Sequence, residues 1–227
     1  MLEPRKQPVQ ARSAASVEAI LQATIQVLLQ VGKERLTTTR VAARAGVSVG
    51  TLYQYFPNKS ALLQAGLRRH LNEIVEAVER VCEAQKGKTL REMATALVNA
   101  FLDIKMRNPK GSAALYSVSA DVDGMKIALQ IGLYSNQAVA RMLASSPEPL
   151  ASDPQLVATM LQGMMAGVSR KLLESSAPEK QIAAVRKELI RMACAYLGAC
   201  SAGALVEDVR GRDAAPKVLQ ATDLVVT

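Results

Sequence analysis

The chain has 227 residues, of which 49% are apolar and 3% aromatic, with a formal net charge of +8. That length and apolar content suffice for one large domain or two small ones, and no uninterrupted apolar run of about 18 residues marks a membrane span. Cys82, Cys194 and Cys200 are odd in number and form no CxxC pair, which argues against a disulfide framework and a zinc site.

The charge is unevenly spread. Residues 1–70 hold ten Lys and Arg against Glu3, Glu18 and Glu34, whereas the remaining 157 hold eighteen against seventeen. A basic first third beside a nearly neutral remainder suggests a polyanionic partner at that end. The alternative is a basic but merely solvated surface.

Residues 1–12 are polar, carry two prolines and read as a flexible basic arm. No apolar signal-peptide segment follows, so the cytoplasm is the expected compartment. Arg5, Lys6 and Arg12 either touch a phosphate backbone or belong to an ordinary frayed terminus. A first helix is expected over Ser13–Val31, with Ile20, Thr24, Val27, Leu28 and Val31 on one face and Gly32 ending it. A second runs over Thr38–Ala45, capped by Thr37 or Thr38, and Gly46 allows a sharp turn. Ser48 caps a third helix that reaches about Phe56, where Pro57 stops it. Asn58 caps a fourth, Lys59 to about Gln85, with Leu62, Leu63, Leu67 and Leu71 inward.

After the break at Lys86-Gly87-Lys88, a fifth helix spans about Thr89–Arg107, with Met93, Leu97, Phe101 and Ile104 as its stripe. A short helix near Lys110–Ser119 follows. Ala120–Ala144 is expected as one helix with Met125, Leu129, Leu133 and Met142 inward. Prolines and serines make 145–154 a loop. Pro154 opens a helix with two apolar rows: Val157, Leu161, Met164, Val168 and Leu172, and Leu156, Met160, Gly163 and Gly167. The last long helix, about Glu179–Ala199, carries Ile182, Val185, Leu189, Met192 and Tyr196. The fold class is therefore all-α, about nine helices. Its units are the arm 1–12, a helix-turn-helix unit 13–58, a larger helical unit 59–200, and an irregular tail 201–227.

The stretch TTTRVAARAGVSVGTLYQYFPNK (37–59) carries three of the seven Tyr and Phe residues. A helix-turn-helix lays its second helix in the major groove of DNA and its first across the backbone. That job requires a tight turn, a short exposed helix and donors aimed at phosphates. Thr38, Thr39, Arg40, Thr51, Tyr53, Tyr55 and Lys59 are the candidate donors. Ser48 opens the recognition helix, and Val49, Gly50 and Gln54 stand where base edges would be. Gln pairs with adenine bidentately and Val meets a thymine methyl.

These residues resemble the helix-turn-helix of the TetR (tetracycline-repressor) family. Ala42, Ala45, Gly46, Val47, Ser48, Gly50, Thr51, Leu52, Tyr53, Tyr55, Phe56 and Lys59 stand at the family's pattern positions. The likeness covers about residues 15–65. It implies that Thr38, Thr39, Thr51, Tyr53, Tyr55 and Lys59 hold phosphates of double-stranded DNA at a palindromic operator. Leu52 and Phe56 would be core. It implies a homodimer through the last two long helices, with which the two-sided 155–173 segment agrees.

The same likeness implies a mainly apolar ligand pocket for a small-molecule effector of unknown identity. Met93, Leu97, Phe101, Met106, Leu115, Tyr116, Met125, Leu129, Leu133, Tyr134, Met160 and Met164 are the candidates for its lining. Core packing is the competing role for each of them. The expected function is a ligand-responsive repressor. A transcriptional activator or a redox-responsive regulator with the same DNA-binding unit is the alternative. No enzyme is expected: His70 is the single histidine, read as a surface or hinge residue, and neither GxSxG nor a phosphate loop occurs. No catalytic residue, metal or cofactor is assigned.

Overall fold

The computed structural model describes residues 7–202, without the side chains of 7–12 and Asp121. The contacts expected of Arg5, Lys6 and Arg12, and the irregular tail from residue 203 onward, lie outside the described residues. Among the described residues nine α-helices follow one another: α1 Gln7–Arg35, α2 Thr38–Ala45, α3 Val49–Tyr55, α4 Lys59–Ala84, α5 Leu90–Met106, α6 Pro109–Ser117, α7 Gly124–Ala144, α8 Pro154–Leu173 and α9 Pro178–Cys200. Among the described residues the only β pairing is an isolated antiparallel bridge between Leu150 and Ser201.

Helix α1 starts at Gln7, earlier than Ser13, so the second half of the expected arm has helical backbone. Gly32, at φ 73°, interrupts α1 near its end. By length and hydropathy Ser13–Arg35 could cross a membrane. Here its apolar face, from Ile20 to Leu28, is buried in the N-terminal core.

The short helices are held by their caps. The Thr37 side chain accepts from Arg40 N, and Gly46 ends α2 in the left-handed region at φ 69°. Ser48 accepts from Thr51 N, and Asn58 from Ala61 N. Each such cap contributes about 1 kcal/mol. Without them a seven-residue α3 would not persist, since isolated helices of fewer than about 12 residues are marginal.

The expected helix over Ala120–Ala144 divides in two. A 3-10 turn at Ser119–Val122 is followed by Asp123, at φ 53°, and then by α7. A Cβ on Gly124 would lie 2.6 Å from the Ser119 carbonyl oxygen, so only glycine fits this corner.

Two apolar cores result. One gathers α1, α2, α3 and the first half of α4 around Leu36, Leu52, Leu62 and Leu67. It also includes Leu115, Val118, Val122 and Ile127, which lie beyond residue 58. The other joins the second half of α4 to α5, α7, α8 and α9 around Val78, Met93, Leu102, Met142 and Leu161. Helix α4 thus supplies both. An Arg69–Glu18 ion pair at 2.6 Å ties α4 to α1, and Arg186–Asp103, also 2.6 Å, ties α9 to α5.

The inward stripe of α7 is not the expected one. Met125, Leu129 and Leu133 are exposed at 63–70% and only Met142 of that set is buried. Ile127, Ala138, Val139, Met142 and Leu143 face inward instead. On α9 the buried row is Leu189, Ala193 and Leu197, and Met192 is half exposed. The two rows of α8 do separate: Val157, Leu161 and Leu172 are buried, whereas Leu156, Met160, Gly163 and Gly167 lie outward.

Candidate nucleic-acid interface and the cavity behind it

The apolar positions of α2 and α3 dictate which face remains outside. Val41, Ala42, Leu52 and Phe56 are buried, each large side chain contributing about 1.5–3 kcal/mol. Thr39, Arg40, Ser48, Gly50, Tyr53 and Gln54 are therefore exposed, with Val49, Thr51, Tyr55 and Lys59 half-buried. The candidate interface residues share this end of the molecule, with one exception in exposure. Thr38 is buried, and its hydroxyl lies 2.9 Å from the Tyr53 hydroxyl.

Several of these side chains already have partners. Ser48 Oγ lies 2.8 Å from Thr51 Oγ1 and accepts from Thr51 N at 2.9 Å. The Tyr55 hydroxyl donates to Ser13 Oγ at 3.1 Å, and its ring packs on the N-terminal core. Lys59 Nζ donates to the Lys33 carbonyl at 2.6 Å, just past the Gly32 interruption of α1. Val49, Gly50 and Gln54 lie on the outer side of α3, and Gln54 has no hydrogen-bond partner among the described residues. Arg44, unassigned from the sequence, is also exposed and adds a cation to this end.

A cavity of about 390 Å³ opens among α4, α5, α6, α7 and α8. Leu71, Ile74, Val78, Ile131 and Met165 give it an apolar wall, and Lys105, Tyr116, Ser135, Gln162 and Arg170 are its polar groups. Of the twelve residues expected to line a ligand pocket only Phe101 and Tyr116 line it. Met93 and Leu97 are fully buried in the core and do not line the cavity. Met164 packs partly buried against the same core. Met125 and Leu129 line a separate open groove along α7, and Tyr134 and Met160 point to solvent, because α7 and α8 each turn a second apolar row outward.

Lys105 is the residue that sequence reasoning missed. It is 4% exposed, and its ammonium donates to the Tyr116 hydroxyl. It stands 4.3 Å from the Tyr116 ring centre and 5.2 Å from that of Phe101. Burial lowers its pKa to about 8, and burial raises Tyr116 to about 12 against the pull of Arg170. The available signal was its place four residues after Phe101, on an otherwise apolar face.

His70, expected at the surface or a hinge, is half-buried. Its ring meets Tyr116 edge-on at 6.0 Å, and Nε2 is buried without a hydrogen-bond partner. Burial, and then the Lys105 charge, lower its pKa to about 4. It also borders a smaller cleft of about 240 Å³ between α1, α4 and α6. Burial raises the Cys82 thiol to about 12, which removes its thiolate character at neutral pH. No group of three metal-ligating side chains comes together among the described residues.

Comparison with known proteins bears on both halves. The profile described as "Bacterial regulatory proteins, tetR family" matches residues 20–65, and "Tetracyclin repressor-like, C-terminal domain" matches 89–197. The HTH-type transcriptional regulator BetI of Stenotrophomonas maltophilia is 35% identical over 86 residues, which is 38% of this chain and 43% of that protein. BetI 1 of Chromohalobacter salexigens is 32% identical over 136 residues, 57% of this chain and 64% of that one. The matched regions thus span 43% and 64% of these two relatives. The HTH-type transcriptional repressor KstR of Mycolicibacterium smegmatis is 28% identical over 173 residues, 74% of this chain and 83% of that protein.

Among solved structures, a protein described as a tetR family transcription regulator from Shewanella sp. PV-4 is 26% identical with a TM-score of 0.59. That match covers 82% of this chain and 98% of that one. A transcriptional regulator from Rhodococcus sp. RHA1 shares the fold, with a TM-score of 0.63 at 18% identity over 82% of this chain and 97% of that one.

Proposed function

The chain belongs to the tetR family of bacterial regulatory proteins, which are DNA-binding transcription regulators and not enzymes, and on that premise we propose that it is a ligand-responsive repressor. The observation that carries this reading is a shared helix. The exposed α2–α3 face and the 390 Å³ cavity are joined through α4, whose two halves belong to the two cores.

Two copies associate through α8 and α9. The outward row Leu156, Met160, Gly163 and Gly167, with Met192 of α9, forms the apolar contact, and the glycines let helices approach closely. The dimer sets two α3 helices in successive major grooves of a palindromic operator, about 34–36 Å apart. Thr39, Arg40, Tyr53 and Lys59 grip phosphates, while Val49, Gly50 and Gln54 meet base edges. The protein works in the cytoplasm, at its operator on the nucleoid.

An effector enters the cavity and packs on Leu71, Ile74 and Val78 of α4. It prefers the α4 position in which the α3 spacing no longer fits DNA, and that differential affinity drives release. Binding of the purified protein to selected duplexes tests the reading. Affinity should fall steeply as salt rises, and an apolar extract of cells should release the duplex. A protein without salt-sensitive duplex binding, or one whose duplex no extract or small molecule releases, is not a ligand-responsive repressor.

A further inference from the structure

Lys105 is a buried cation with no counter-ion. Its ammonium meets a phenol and two ring faces, and no carboxylate lies within 4.0 Å of it among the described residues. Asp103, Glu73 and Glu174 are engaged with other cations: Asp103 with Arg186 at 2.6 Å, Glu73 with Arg69 at 3.1 Å, and Glu174 with Arg170 at 2.9 Å. Buried charges in proteins are normally paired, because an unpaired one forfeits its hydration. Here the charge stands at the edge of a cavity whose opposite wall is hydrocarbon.

We propose that the cavity takes an amphipathic monocarboxylate, its head on Lys105 and Tyr116 and its apolar body against Ile74, Val78, Ile131 and Met165. This rests on the reading of the cavity as the effector site. Tyr116 retains its proton and can donate to the second carboxylate oxygen, so one anionic head satisfies both groups. Arg170 lines the same cavity, already held by Glu174, and adds positive potential. A single buried cation matches a single negative charge. A dianionic head would leave one charge uncompensated, and an ammonium would face the unpaired Lys105 charge.

Decanoate, 1-decanol and decylamine separate these chemistries at constant body size. Each is titrated into the full-length protein at pH 7, by calorimetry and by the shift in melting temperature. Decanoate should bind about tenfold or more tightly than decanol, with decylamine weakest. In Lys105→Met, with folding checked by its own melting transition, the preference for decanoate over decanol should vanish. Tyr116→Phe should reduce it in part.

Equal affinity of the wild-type protein for decanoate and decanol would overturn the carboxylate assignment and leave the cavity as an effector site. A full decanoate preference in Lys105→Met would overturn the role of Lys105. Failure of all three probes to bind would overturn both readings. The wild-type comparison stands alone even if Lys105→Met does not fold.

Discussion

The Tyr53 hydroxyl lies 2.9 Å from Thr38 Oγ1, so two side chains expected to hold phosphates hold each other, across the turn between α2 and α3. This bond orients the phenol at the interface and costs nothing to break only if DNA replaces it. Tyr53→Phe and Thr38→Ala should each lower stability by about 1 kcal/mol. The double variant should lose clearly less than the sum, with a coupling of about 0.5–1.5 kcal/mol in a denaturation cycle. Strict additivity would mean that the bond does not form in solution.

Gln54 and Lys59 should fail in different ways. Lys59→Ala should weaken binding to every duplex alike and reduce the salt slope by about one. Gln54→Ala should instead change base preference at one operator position, by about 1–3 kcal/mol between the best and the wrong base. Selection from randomised duplexes measures both. An unaltered preference for Gln54→Ala would remove it from the base-reading set.

His70 makes folding sensitive to acid. Its folded-state pKa of about 4 lies below the ordinary 6.5, so the unfolded chain takes up the proton first. Stability is unaffected above pH 6.5 and is lost as pH falls from 6.5 to about 4. The loss approaches about 3 kcal/mol from this residue. His70→Asn should flatten that window in urea denaturation at graded pH. A wild-type curve with the same slope as the variant would contradict the assignment.

Lys105 acts with the same sign at high pH. Its folded pKa of about 8 lies below 10.5, so the unfolded state binds the extra proton between those values and stability rises with pH across them. Below pH 8 the full cost, about 3 kcal/mol, is present. Lys105→Met should therefore stabilise the ligand-free protein at pH 7, by up to that amount. A variant that melts below the wild type would show that its phenol and ring contacts outweigh the burial.

Helices α2 and α3 and the start of α4 were legible because their boundaries are written in caps. Thr37, Gly46, Ser48 and Asn58 each act through the nearest few backbone groups, so the sequence alone places them within a residue. The cavity was less legible. Periodicity shows that Met125, Leu129 and Leu133 share a face of α7, but not that Ile127, Ala138 and Met142 form a second face which packs inward. Which of two apolar rows is buried depends on neighbours far away in the chain. The same limit placed Met93 and Leu97 at a ligand when they are core. Lys105 escaped because an apolar search passes over charged residues, although its helical position already set it beside Phe101.

Leu115, Val118, Val122 and Ile127 close the core beneath α1, α2 and α3 from the far side of residue 58. A fragment cut at that point would leave Ile20, Leu36 and Leu52 facing water where these side chains and those of α4 now lie. The DNA-binding part is therefore not an autonomous module that could be excised, swapped onto another scaffold or melted by itself. Limited proteolysis should find no stable product ending between α3 and α4, and calorimetry should record one cooperative transition that includes both ends of the chain.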